Sequence, residues 1–199
     1  MTAPTTVHLV RHGEVHNPAN IRYGQLPGYG LSRRGEAQAR EAGRYLREGR
    51  APIAALISSP LERAVSTATL VQLELGLAGF DRDERLIEPP NVFDGLDRRA
   101  PLYPWNWPRL RDPFLPSWAE PFAAVAHRMR AAIAARTAAH PGGAIALVSH
   151  QSPIWLARLA LAGLRGPPWL HRVRCGHASI TTFVLDGERV IEEHYWAPR

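Results

Sequence analysis

Short apolar blocks alternate with longer amphipathic stretches along most of the chain. Residues 7–10 form a β-branched apolar run, which predicts a buried strand. A loop rich in Gly, Pro and Asn follows over 13–30. Ser32 then caps a predicted helix that reaches about Gly49, with Ala39, Ala42, Gly43 and Leu46 on one face. Residues 54–58 read as a second strand. Ser59-Pro60-Leu61-Glu62 predicts the next helix start: Ser59 caps, Pro60 takes the first turn and Glu62 closes a capping box. That helix runs to about Gly76, and 82–87 form a weaker strand. A long helix is expected over 119–139, with Phe122, Val125, Met129 and Ile133 as its stripe, broken by Gly142-Gly143. Residues 144–149 are another buried strand, and Ser152-Pro153 starts a helix to about Gly163. The end reads as a hairpin, 179–185 and 190–196, around Asp186-Gly187.

Strands alternating with helices predict an α/β fold: a three-layer sandwich with a mostly parallel sheet, helices on both faces and an antiparallel edge hairpin. The 199 residues suit a single domain over 1–199, with no internal repeat and no domain-scale linker. One segment departs from the alternation. Residues 101–122 hold six of the 18 prolines, three of the six tryptophans and no glycine, so they cannot be regular helix or central strand throughout. The stretch, taken as about 91–122, reads either as a stiff cover over a pocket or as a packed loop filling a gap in the core. As a cover, Phe93, Trp105 and Trp107 would line the leaving-group side of a pocket and favour aromatic or apolar groups.

Composition narrows the classes. At 45% hydrophobic and 21% charged, the chain is neither disordered throughout nor collagen-like nor a coiled coil. No apolar run approaches the roughly 18 residues of a membrane span, and the start does not read as a signal peptide. Cys175 is the single cysteine, which excludes an internal disulfide and fits a reducing, cytoplasmic setting. All 24 basic residues are arginine and the net charge is +6. Arginine grips phosphate bidentately, but the total reads mainly as a coding bias. No helix presents a continuous basic face, so neither nucleic acid nor membrane is expected as a partner. The oligomeric state stays open, a homodimer included.

Three predicted strand ends carry the chemistry. The first runs into Arg11-His12-Gly13-Glu14, the second into Ser59-Pro60 with Arg63 just beyond, and the 144–149 strand into His150. Open α/β sheets bind ligands beyond the carboxyl ends of their strands. Two arginines and two histidines placed there, beside helix amino ends, describe a site for a phosphate dianion. His8, His12 and His16 would form a metal stripe on a helix, but here they fall on strand and loop, and no metal is expected.

LVRHGE at 9–14 and LSRRGEAQAREAG at 31–43 resemble the histidine phosphatase superfamily, which includes the cofactor-dependent phosphoglycerate mutases. SSPLERAVSTA at 58–68, RLIE at 85–88 and VSHQSPI at 148–154 are similar to its further segments, in the family's order. The resemblance implies a phosphoglycerate mutase-like fold and a metal-independent phosphomonoesterase that needs no cofactor and acts on a small-molecule phosphate ester. It implies that His12 is the nucleophile and is transiently phosphorylated. It further implies that Arg11, Arg63 and His150 hold the phosphoryl oxygens and that Glu88 donates the proton, with Glu14 and Asp94 as alternatives. Asn17 is the candidate phosphate-binding asparagine, with Asn20 as the other choice. Gln151 takes the place of a usual glycine at the substrate side. Val15 replaces a usual hydroxyl residue, Trp155 a common arginine, and Pro89-Pro90 follow Glu88. The other readings are phosphoryl transfer of the mutase type and a catalytically weak phospho-ligand module.

Overall fold

The computed structural model describes residues 3–49, 51–112, 118–164 and 171–199. Six strands form one sheet: β1 (Thr5–Arg11), β2 (Ile53–Ser58), β3 (Asp81–Arg82), β4 (Ala144–Ser149), β5 (Ile180–Asp186) and β6 (Arg189–Trp196). Their order across the sheet is β3-β2-β4-β1-β5-β6. The first four pair in parallel; β5 runs antiparallel to β1, and β6 to β5. The sheet is thus the mostly parallel one expected, with its antiparallel edge hairpin. Gly187 turns that hairpin at φ +60°.

Among the described residues four α-helices cover the sheet: α1 (Arg33–Arg47), α2 (Glu62–Leu75), α3 (Phe122–Ala139) and α4 (Gln151–Leu161). Strand alternation assigns their faces. Val10, Ala144, Ala146 and Val148 pack with Ala42 and Leu46 of α1 and with Ala64, Ala68 and Val71 of α2. Val7, Leu9, Ile145 and Leu147 pack on the other face with Met129 and Ile133 of α3 and with Ile154 and Ala157 of α4. The first face is lined by small residues, so α1 and α2 lie close: a Cβ on Gly43 would come within 2.7 Å of the Glu74 side chain.

Several elements differ locally from expectation. Ser32 caps α1 as predicted, its side chain accepting from the Gly35 amide. No capping box opens α2. Leu61 is its N-cap and has no polar side-chain atom to offer; the Ser59 hydroxyl meets His150 at 2.8 Å and accepts only a long bond, 3.5 Å, from the Leu61 amide. The weak strand over 82–87 is a two-residue strand followed by a 3-10 turn, Glu84–Leu86. Asp83 accepts from the Arg85 amide at 2.9 Å and so starts the turn, the usual competition of a short acidic side chain with the ladder. Helix α3 begins at Phe122 rather than 119, after Pro121. Val125, Met129 and Ile133 are its buried stripe, with Ala132, while Phe122 is half-buried. The Trp/Pro-rich stretch carries two 3-10 helices, Ala100–Leu102 and Pro104–Leu110; its residues 113–117 lie outside the described residues.

Candidate active site

Topology delivers the site. After β1 the chain leaves over one face into α1; after β4 it leaves over the other into α4. These strands are neighbours, with Arg11 in register with Ser149. A crevice opens where adjacent strands send their helices to opposite faces. His12 and His150 each stand one residue beyond that register pair, and the His12 amide donates to the Ser149 carbonyl at 3.0 Å. Their ring centroids are 5.2 Å apart. On the far side of β4, the Ser59 amide donates to the Val148 carbonyl at 2.9 Å, and the Ser59 hydroxyl meets Nε2 of His150 at 2.8 Å.

The His12 loop is fixed by close packing. A Cβ on Gly13 would stand 2.4 Å from the Gly35 carbonyl oxygen, and one on Gly35 would stand 2.0 Å from that of Glu14. The Gly13 amide donates to the Thr67 hydroxyl, which donates in turn to the Arg63 carbonyl. Nδ1 of His12 meets the Gly13 carbonyl at 2.7 Å. A carbonyl can only accept, so this nitrogen carries the proton and Nε2 is left with its lone pair. Burial, then the charges of His150, Arg63 and Arg11, hold the His12 pKa well below its usual 6.5. The imidazole is therefore neutral. The same burial, with Arg63 and Arg11, lowers His150.

Arg11 and Arg63 are almost fully buried, at 8% and 2% exposed. Each spends one terminal nitrogen on a carbonyl: Arg11 on Cys175 at 2.6 Å, Arg63 on Gly24 at 2.7 Å. Nε of both arginines and Nδ1 of His150 are buried without a hydrogen-bond partner among the described residues. Such unpaired polar groups cost about 1–3 kcal/mol each. With the charges of Arg11 and Arg63 acting on His12, the arrangement suits an oxyanion, and charge-assisted bonds to one are the strong kind.

Glu88 forms part of the wall. Its Oε1 accepts from Ser152 at 2.6 Å, its carbonyl accepts from Gln25, and its Oε2 is buried without a partner among the described residues. Burial raises its pKa, outweighing the Ser152 bond and the charges of Arg22, Arg63 and Arg11. The turn before it is anchored: the Ser149 hydroxyl donates to the Leu86 carbonyl, and Arg85 clasps Asp83 while bonding the Ala131 carbonyl of α3. That clasp holds the Asp83 carboxyl below its usual value.

A cavity of about 320 Å³ opens here; His150 and Ser59 are not in its lining, and His150 stands behind His12. Arg11, His12, Arg63, Glu88 and Gln151 line it, together with Arg22, Tyr23, Phe93, Asp97, Arg98, Pro101 and Ser152. Asn17 does not. Its amide is used locally, bonding the Ile21 carbonyl and amide. The alternatives to Glu88 are also otherwise engaged: Glu14 accepts from Ser32, and Asp94 pairs with Arg22 at 3.2 Å and accepts from the Asn91 amide. The three histidines spaced by four diverge. His8 bonds Thr182, His12 faces the cavity and His16 is exposed. Of the Trp/Pro-rich segment, Phe93 and Pro101 reach the cavity. Trp105 and Trp107 do not line it and are 73% and 59% exposed, against the expectation that they form the leaving-group side.

Sequence reasoning missed Tyr23, Ser59 as a partner of His150, and His177, whose ring lies 5.9 Å from that of His12. Burial brings His177 down to about 4. Its proximity comes from β5 pairing beside β1: the Ala178 amide donates to the His12 carbonyl. No local sequence signal marks that pairing.

Fold and site together define an α/β protein with an arginine-lined cavity at the switch point of its sheet. The chain belongs to the histidine phosphatase superfamily (branch 1), which it matches across residues 7–196. It is 41% identical over 202 aligned positions to an uncharacterized protein of Mycobacterium tuberculosis, Rv0525, covering 100% of this chain and 98% of that one. It is 27% identical over 188 positions to the uncharacterized phosphatase PhoE of Bacillus subtilis, covering 93% and 91%. The native structure of mycobacterial glucosyl-3-phosphoglycerate phosphatase Rv2419c aligns with a TM-score of 0.77 at 26% identity over 98% of both chains. No helix among the described residues is long and apolar enough to cross a membrane.

Proposed function

We propose that the protein is a metal-independent phosphoric monoester hydrolase acting through a phosphohistidine on a small phosphorylated metabolite. The observation that carries this reading is the Nδ1 bond of a buried, neutral His12 to the Gly13 carbonyl, which leaves the Nε2 lone pair free, close to the charges of Arg63 and Arg11. Nε2 attacks phosphorus as the bond to the ester oxygen breaks. Arg11, Arg63 and His150 hold the phosphoryl oxygens and supply positive charge, so the chemistry needs no metal. Glu88, whose pKa burial raises, gives its proton to the departing oxygen. Water then attacks the phosphohistidine, returns a proton to Glu88 and releases phosphate as the N–P bond breaks. Gln151 and Ser152 stand where the ester group would emerge.

Similarity to phosphatases supports hydrolysis over mutase-type transfer. The test is turnover of a panel of phosphate esters in the presence of a chelator, with alkaline quenching to trap acid-labile phosphohistidine. Turnover and trapping that both vanish in H12N are expected. Hydrolysis that survives in H12N overturns the reading, and isomerisation of 3-phosphoglycerate stimulated by the bisphosphate replaces it with the mutase.

A further inference from the structure

Tyr23 lies outside every motif that pointed to the site, yet it touches two of the four side chains at the phosphoryl position. We infer that Tyr23 is a positioning residue: its ring sets the plane of the Arg63 guanidinium and closes one side of His12. The inference rests on the phosphoryl site described above and assigns its alignment to the loop between β1 and α1.

The grip on Arg63 comes from two successive residues. Cζ of Arg63 stands 4.8 Å from the Tyr23 ring centroid, so the guanidinium lies against the ring. The Gly24 carbonyl takes one terminal nitrogen at 2.7 Å. A guanidinium offers its donors in one plane and none through its face. The ring therefore fixes that plane without using a donor, and Nε stays available for an oxyanion. The long arginine side chain would otherwise have to lose its freedom when ligand binds; here most of that ordering belongs to folding. Tyr23 also meets His12 edge-on, with centroids 6.3 Å apart and planes at 67°.

The ring is itself held. Tyr29 stacks behind it at 5.3 Å and 25°. Main-chain bonds tie Arg22 to a second loop: its amide donates to the Leu96 carbonyl at 2.8 Å, and its carbonyl accepts from the Gly95 amide at 2.7 Å. Gly24 has φ +38°, and a Cβ there would fall 1.9 Å from the Asp94 carboxylate. A glycine at this position lets the chain turn its carbonyl onto Arg63 while Tyr23 keeps its face to the guanidinium. These contacts hold the ring, with Tyr29 as its backing.

Inorganic phosphate binding, read by titration calorimetry, tests the inference without relying on turnover. Y23L keeps bulk but loses the aromatic face, and should weaken phosphate binding about tenfold. Y23F keeps the face and should stay within about twofold of wild type, and Y29L should cost about twofold to threefold. In an R63A background, Y23L should cost nothing further, because Tyr23 acts through Arg63. Y23M serves if Y23L does not fold. Unchanged binding in Y23L or Y23M, equal damage in Y23F, or losses that simply add in the double variant would each overturn the inference. A wild-type protein that binds no phosphate sinks the phosphoryl site itself, a separate failure.

Discussion

At and just beneath the floor of the cavity, His12, His150 and Ser59 each follow directly on a strand of the parallel sheet, and their amide or ring is bonded to a neighbour. At the mouth, Arg22, Asp97 and Arg98 sit on two loops joined by one isolated bridge, Ile21 to Asp97. Arg98 makes no ion pair among the described residues, while Arg22 is paired with Asp94. Strand register leaves the floor almost no freedom: shifting one residue would turn a side chain to the other face. Loops impose no such period, so the mouth can vary while the floor stays put. Under the proposed function the chemistry falls to the rigid part and selectivity to the adjustable part.

The sharpest way to break this contrast is at the floor. H12N should lower kcat by at least about 10⁴-fold while the folded structure persists, because it removes the proposed nucleophile. E88Q comes next. It should slow alkyl phosphates by about 10²- to 10⁴-fold and aryl phosphates with good leaving groups far less. The wild-type rate should fall as pH rises through the raised Glu88 pKa, and that alkaline limb should disappear in E88Q. A pH–rate profile on the two ester classes checks both.

Stability should show the floor's burial as well. His8 is lowered to about 4, and His12 and His150 lie well below 6.5. These groups stay neutral in the fold while the unfolded chain gains protons. Stability is therefore full above pH 6.5 and falls as pH drops, by up to about 1.4 kcal/mol per pH unit for each histidine. Glu88 acts in the opposite sense: its raised pKa takes stability away as pH rises through it. Urea midpoints from pH 7.5 to 5 measure the acid side, and a flat curve would contradict the buried neutral histidines.

Effects at the mouth should be smaller and should depend on the substrate. R98A should alter KM by up to about fivefold, unequally for charged and uncharged leaving groups, as exposed charges do. W105A and W107A should change KM by less than about twofold for every ester, since both rings lie outside the cavity lining. Unequal, larger effects from the tryptophans would move selectivity to the segment that the sequence suggested.

Most of the floor was legible in the sequence because its residues announce themselves locally. Arg11 and His12 end an apolar run, Arg63 follows a Ser-Pro helix start and His150 ends another run, and each run length fixes where its strand stops. Glu88 was legible through its resemblance, although the strand expected before it is a turn set by Asp83. Ser59 was read as the cap of a capping box because local sequence cannot tell that β4 brings His150, 91 residues further along the chain, to its hydroxyl.

The sequence by itself determined the periodicities, and through them the strands, the helix faces and which reacting groups stand at strand ends. Tertiary structure alone decided which ends are neighbours, that Tyr23 lies against Arg63, that His177 approaches His12, and that Trp105 and Trp107 stay outside the cavity lining. The physical reason is range. Hydrophobic period is carried by residues a few positions apart, whereas strand order and loop closure follow from contacts between segments far apart in the chain, with no repeating pattern to record them.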